Sequence, residues 1–331
     1  MRPLDGIRVL DLSSFIAGPY CAAILGEYGA QVIKVEHPEG GEAGRRFGTP
    51  TDIPDLSLSF QNDNRNKVSV TLDLKAPQDQ EKLRQLTRRA DVLVENFRPG
   101  TLERWGCGPE TLHELNPALV ICRITGYGQT GPYRDRPGFA RIAHAVGGLT
   151  ALAGMPDGPP VTPGSSSLAD YFSGMYGAMG VLMALRAAEA TGRGQVIDVA
   201  LYESIFRILD ETATAYAFNG TVRGREGRMT RQVAPHGHFE CGDGGWVALA
   251  CTSDKMWDRL ARRVLDRADL AESHPQTADR LADREMIDGV VEAFTKSHPM
   301  AEVVRLCTEG DVPCGPINSI AHEVTPNFEQ T

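Results

Sequence analysis

A single carboxylate, Asp170, stands in "GSSSLADYFSGMYGAMG" at residues 164–180, a stretch so rich in Gly, Ala and Ser that other backbone can approach it closely. Its titratable companions are the phenols of Tyr171 and Tyr176, and the apolar run "VLMAL" follows directly. Two readings fit. In one, Asp170 is an acid in the first turn of a helix, favoured there by the macrodipole behind the N-cap serines of "SSSLAD". In the other, it is a reactive carboxylate that its small neighbours leave accessible.

A second constellation is "ENFRPGTLERWG" at residues 95–106, where a strand end delivers Asn96, Phe97 and Arg98 into a Pro-Gly turn with Arg104 on the next helix. An aromatic face, an amide and two guanidinium groups suit an adenine and its phosphates, while a solvated loop with scattered arginines fits the same residues. The first strand-to-helix turn, "IAGPY", lacks G-x-G-x-x-G, which argues against a nicotinamide dinucleotide, yet a helix start there still offers free amides to an anion. His236 and His238 form a His-x-His without further ligands, and read as a linker pair rather than a metal site. Cys241 and Cys314 have no His/Asp arrangement around them and read as buried thiols.

These residues need a scaffold, and the first 125 residues supply its pattern. "GIRVLDL", "AQVIKVE", "KVSVTLDL", "DVLVENF" and "ALVICRITGYG" read as strands, with helices expected at 19–29 and 77–89 between them. Short β-rich runs alternating with helices predict a Rossmann-like α/β fold, a doubly wound parallel sheet whose ligands bind beyond the carboxyl ends of the strands. A long helix is expected from Asp170 to about residue 190, closed by the glycines of "TGRGQ". Domain boundaries are expected as a large domain at 1–215, a linker at 216–235, dense in Gly and Arg, and a smaller α/β domain at 236–331.

Composition sets the outer limits. With a net charge of −9 the 331-residue chain has no excess of Lys and Arg to neutralise phosphates, so nucleic acid is not an expected partner. Seven scattered cysteines without a C-x-x-C pair fit a cytoplasmic protein without a metal, and no run of about 18 apolar residues marks a membrane span.

The ordered set "GIRVLDL", "GAQVIKVEHPEGGE", "NRNKVSVTLDLK", "DVLVENFRPG", "ITGYGQTGPYRDRPGF", "LADYFSGMYGAMGVLMAL", "TGRGQVIDVALYES" and "GDVPCGPINS" resembles the class III CoA transferases, relatives of the α-methylacyl-CoA racemases, from residue 3 to about 324. The resemblance implies that Asp170 is the nucleophile and forms an aspartyl-CoA thioester, with CoA as substrate and product, and with no prosthetic group and no metal. It carries CoA contacts onto Ile16, Ala17, His37, Leu72, Lys75, Asn96, Phe97, Arg98, Arg104 and Arg136. Ile16 and His37 stand where the formyl-CoA enzyme has a glutamine and an arginine, and its glycine-rich flap has no counterpart, which speaks against oxalate as acceptor. The racemase branch needs a His-Asp pair where this chain has Phe139 and Ala140, neither of which moves a proton.

The pattern "RDRPGFARIAHAVGG" with "PGSSSLADYFSG" is most similar to the branch that uses succinyl-CoA and hydroxydicarboxylates such as malate or citramalate. That places Phe139, Ala140 and Arg141 at the acyl group, with Arg141 expected to meet a second carboxylate. Family members form an interlocked homodimer and continue past "CGPINSI" through a C-terminal segment that returns to the large domain. This sequence ends at Thr331, and the expectation is that the return segment is missing. A catalytically silent CoA-binding protein is the rival expectation.

Overall fold

The computed structural model describes residues 2–164 and 166–323. Six strands, β1 (Arg8–Asp11), β2 (Gln31–Glu36), β3 (Lys67–Thr71), β4 (Val92–Glu95), β5 (Val120–Thr125) and β6 (Val196–Ala200), form one sheet in the spatial order β3-β2-β1-β4-β5-β6. Every pairing is parallel, with Val9 set between Val32 and Val92. The chain winds outward from β1 to β3 and then returns to β4 beside β1. That reversal opens a crevice at the carboxyl ends of β1 and β4, the place where doubly wound sheets bind ligands.

Among the described residues ten α-helices accompany the sheet: α1 (Ala17–Glu27), α2 (Leu58–Asp63), α3 (Pro77–Thr87), α4 (Thr101–Arg104), α5 (Pro109–Leu115), α6 (Ala140–Val146), α7 (Leu149–Leu152), α8 (Leu168–Thr191), α9 (Leu201–Arg207) and α10 (Thr212–Asn219). Strand residues alternate between two cores. Val9, Val94 and Cys122 pack with Cys21 and Leu25 of α1 and Val181 and Leu185 of α8. Leu10, Leu93 and Ile121 pack on the other face with Leu83 of α3 and Leu112 of α5. Both faces are covered, which is why the strands read as near-continuous apolar runs.

The small residues of α8 have a definite use. A Cβ on Gly174 would lie 2.8 Å from the Ala17 carbonyl oxygen and 2.9 Å from the Tyr20 ring, so only glycine lets α8 meet the first turn of α1. At its far end α8 stops at Gly192, whose φ of 69° is the left-handed cap conformation expected from "TGRGQ".

The chain divides into two compact units. One runs up to Leu152 and includes Pro160–Arg223; the other comprises Ala153–Pro159 and the residues from Gly224 onward. The expected linker start at 216 falls inside α10, so the boundary lies later, between Arg223 and Gly224. Ala153–Pro159 goes with the second unit because Gly227 N and Arg225 Nε donate to the carbonyls of Gly154 and Met155, each at 3.1 Å. Residues 324–331 of the expected small domain lie outside the described residues.

In the second unit β7 (His236–Glu240), β8 (Trp246–Ala250) and β9 (Cys314–Pro316) form an antiparallel sheet, joined by α11 (Asp254–Arg259), α12 (Ala268–Ser273), α13 (Thr277–Ala282), α14 (Arg284–Lys296) and α15 (Met300–Glu309). Its core gathers Trp257, Ile287, Val291, Val303 and Cys307. His236 and His238 therefore open a strand instead of sitting in a linker.

Two glycine substitutions should separate these roles in a thermal melt. Gly174→Ala should lower stability by about 1–3 kcal/mol through overpacking against α1. Gly289→Ala in α14, where an added Cβ meets nothing within 4 Å, should raise it by about 0.4–1 kcal/mol.

Candidate active site

The crevice is walled by the loop after β1, and three successive amides of that loop are held by side chains. Ser13 N donates to Asp11 Oδ1 at 3.0 Å, Ser14 N to Asn96 Oδ1 at 2.8 Å and Phe15 N to Glu42 Oε1 at 2.7 Å. Asn96 Nδ2 also donates to the Ser14 carbonyl at 2.7 Å, tying the loop after β4 to the loop after β1. Phe15 is thereby kept at φ 64°, a strained conformation for an aromatic residue.

Two buried lysines anchor the acids that do this. Lys34 Nζ donates to the Ser13 carbonyl at 2.5 Å and lies 3.4 Å from Asp11 and 3.6 Å from Glu42. Lys67 Nζ donates to Asp11 Oδ2 at 2.9 Å, to the Pro19 carbonyl at 2.7 Å and to the Asp63 carbonyl at 3.0 Å. Burial alone would raise the pKa of Asp11, but the charges of Lys34 and Lys67 outweigh it and hold the carboxyl at about 2.

Asp170 lies in the first turn of α8 and lines a cavity of about 310 Å³ at the crevice. Ile16, Ala17, Asn96, Phe97, Arg98, Arg136 and Phe139 line the same space, so eight of the residues expected from the sequence meet there. α1 begins at Ala17; Pro19 carries no N–H and Tyr20 N donates to the Ile16 carbonyl at 2.8 Å, so the amides that this helix start can offer an anion are those of Ala17 and Gly18, of which Ala17 lines the cavity with Asp170. Burial, reinforced by the charge of Asp63, pushes Asp170 up to about 7. Asp63, at the end of α2, is itself buried, and its charge, after burial, raises the pKa of the Tyr171 phenol. The sequence gives no sign of Asp63, because an Asp in "SFQNDNRN" carries no mark of burial.

Ser14 and Phe97 also line an adjoining cavity of about 170 Å³, which brings His37, Leu72 and Lys75 together with Trp105, Glu36 and Asp73. The Phe97 ring stands edge-on to Trp105 at 5.1 Å between centroids. Trp105 has no signature in the sequence, because one aromatic residue just past a four-residue helix leaves no periodic signal.

Three expected residues lie elsewhere. Arg104 borders neither cavity, and its guanidinium donates to Thr101 Oγ1 at 2.9 Å. Ala140 is packed into the core as the first residue of α6. Arg141 follows it on the exposed side of that helix and is not among the cavity-lining residues. The arginines that do reach the Asp170 cavity from this segment are Arg134 and Arg136, carried on a loop closed where Gly126 and Gly138 meet backbone to backbone; a Cβ on Gly126 would lie 2.9 Å from Gly138 Cα. Cys241 is buried and Cys314 half-buried, and burial pushes the Cys241 thiol up to about 11, away from nucleophilic use.

The comparisons with known proteins decide what this crevice belongs to. The profile of CoA-transferase family III matches residues 4–329. The chain belongs to that family. A succinyl-CoA–L-malate CoA-transferase beta subunit of Chloroflexus aurantiacus is 53% identical over 322 residues, covering 96% of this chain and 79% of that one. The succinyl-CoA–D-citramalate CoA-transferase of the same organism is 38% identical, covering 96% and 78%. Among solved structures, a CAIB/BAIF family protein from Brucella suis superposes with a TM-score of 0.88 at 34% identity, covering 99% of this chain and 87% of that one. The protein is thus a CoA-transferase, an enzyme whose substrates are CoA thioesters. No described helix is long and apolar enough to cross a membrane.

The raised pKa of Asp170 sets a direction for pH dependence. A carboxyl that titrates at about 7 is protonated below that pH and ionised above it, so a reaction that uses its ionised form should show kcat/KM climbing with pH through about 7. Asp63→Asn removes the neighbouring negative charge and should move this limb to lower pH; an unmoved limb means that burial alone sets it.

Proposed function

We propose that this CoA-transferase moves CoA from succinyl-CoA to a hydroxydicarboxylic acid such as malate or citramalate, with Asp170 as nucleophile. The observation that carries the reading is the meeting of Asp170, the first turn of α1 and the guanidinium groups of Arg98, Arg134 and Arg136 around one cavity. The relatives named for malate and citramalate support the choice of acids.

The ionised Asp170 attacks the thioester carbonyl, and the amides of Ala17 and Gly18 at the start of α1 donate to the developing oxyanion. The C–S bond breaks, leaving a mixed anhydride and the CoA thiolate. The thiolate then attacks the aspartyl carbonyl, releasing succinate and leaving an aspartyl-CoA thioester. An acceptor carboxylate attacks this thioester and expels the thiolate, which takes the new acyl group and frees Asp170. Every step exchanges one activated acyl bond for another, so the thioester energy is conserved throughout. Phe139 and Ala140 provide no base for α-proton exchange, and Phe139 lines the cavity with an apolar ring.

CoA lies along the adjoining cavity, with the pantetheine arm passing Phe97, which borders both spaces. His37, Leu72, Lys75 and Trp105 surround the remainder of the cofactor-sized substrate. The protein works as a dimer in the cytoplasm, pairing with an identical or related chain; the malate relatives are named as alpha and beta subunits. Met175, Met179, Leu182 and Met183 support the pairing, since they form an exposed apolar stripe along α8.

Asp170→Ala should abolish transfer while leaving CoA affinity nearly unchanged, and hydroxylamine added during turnover should convert Asp170 of the wild type to a hydroxamate, read as a mass change on its peptide. Retained turnover in the variant, or label on another residue, would overturn the assignment. For the second carboxylate, succinyl-CoA should exceed butyryl-CoA in kcat/KM by about tenfold or more. Arg134→Ala or Arg136→Ala should narrow the gap, and Arg141→Ala should leave it unchanged.

A further inference from the structure

The helix that carries Asp170 starts without a side-chain cap from its own segment. Ser167 occupies the N-cap position of α8, but its hydroxyl accepts no amide, contrary to the capping role expected of "SSSLAD"; Ser165 lies outside the described residues. Asp170 N and Tyr171 N both turn back to the Ser167 carbonyl, at 2.9 and 3.2 Å. Ala169 N, one residue before the nucleophile, donates instead to Nε2 of His144 at 3.0 Å.

His144 projects from α6, 25 positions earlier in the chain, and is only 2% exposed. An imidazole nitrogen accepts only when it carries no proton, so the ring is neutral and holds its hydrogen on Nδ1. That Nδ1 is buried and has no hydrogen-bond partner. The ring therefore leaves one polar atom unsatisfied, at a cost to folding, while serving the backbone amide beside Asp170. Burial and the nearby positive charge of Arg141 both lower the pKa of His144, which favours the neutral form that this bond requires.

Ala169 is fully buried, and α6 and α8 contribute Ala143 and Ala169 to the same core, so the imidazole lies where these two helices pack together. Without it, the first turn of α8 would present an unpaired amide in a dry site, since the N-cap Ser167 makes no side-chain bond to it.

We propose that His144 is a positioning residue for CoA transfer: its neutral imidazole holds the Ala169 amide and, through it, the first turn of α8 where the Asp170 carboxylate faces the cavity. It acts through the backbone and touches no substrate. The inference rests on the reading of Asp170 as nucleophile.

Two variants of the full chain test it. His144→Leu removes the acceptor at similar volume, and His144→Gln restores an acceptor oxygen. In the Leu variant kcat should fall about tenfold or more while KM for succinyl-CoA stays within about threefold, because the displaced group acts in the chemical step and not in CoA binding. Hydroxylamine labelling of the Asp170 peptide should slow in proportion, and the Gln variant should recover kcat to within about threefold of the wild type. Wild-type kcat in the Leu variant would overturn the proposal, as would a Gln variant no faster than Leu at equal melting temperature. Nitrogen-15 spectra of the histidine-labelled wild type, assigned against the Gln variant, should show the Nδ1–H tautomer for His144; an Nε2–H tautomer refutes the proposal even if the Leu variant fails to fold. A wild type that never labels at Asp170 marks a different failure, that of the nucleophile reading itself.

Discussion

The site depends on four charges placed where water does not reach. Asp11, Lys34, Glu42 and Lys67 are all held below the loop after β1, two acids against two bases. Isolated, each would be costly to bury; together they neutralise one another, and each also bonds the surrounding backbone. Those backbone bonds carry the functional consequence. Lys34 and Glu42 grip Ser13 and Phe15 of the loop, while Lys67 grips Pro19 in the first turn of α1 and Asp63 at the end of α2. The strained φ of Phe15 and the start of α1 at Ala17 are thus set by electrostatics beneath the loop.

The same cluster reaches Asp170. Lys67 bonds the carbonyl of Asp63, whose charge adds to burial in raising the pKa of Asp170. From the opposite side, Gly174 lets α8 press against α1, and His144 takes up the amide at residue 169. Asp170 is therefore placed by contacts from three directions while it lines a partly open cavity. For the nucleophilic role proposed for it, a high pKa strengthens the ionised carboxylate as a nucleophile and limits the fraction ionised near neutrality.

Much of this was legible in the residues. The alternation of strand and helix over the first 125 residues predicted a doubly wound sheet, because strands covered on both faces must be apolar throughout and helices must cover them. The absence of G-x-G-x-x-G at the first turn separated this sheet from dinucleotide binders, and the run of ordered motifs carried Asp170 to the site. Asn96, Phe97 and Arg98 were likewise visible, since a strand end followed by Pro-Gly must turn them outward.

Other features had no local signature. Lys34 lies in "AQVIKVE" and Lys67 in "NRNKVSV", contexts in which a lysine reads as solvent-exposed; only the neighbouring strands and the acid in β1 bury them. Arg141 looked well placed for a carboxylate because it adjoins Phe139 and Ala140, but helical geometry turns it away while the preceding loop brings Arg134 and Arg136 to the cavity. The sequence by itself determined the order of strands and helices, the glycines that permit close approach and the presence of one acid at the start of the long helix, since these follow from pattern and residue type. Tertiary structure alone decided which charges pair in the interior, which arginines line the cavity with Asp170 and that a histidine on another helix caps the helix of Asp170, because each joins residues that are distant along the chain and meet only after the sheet has wound.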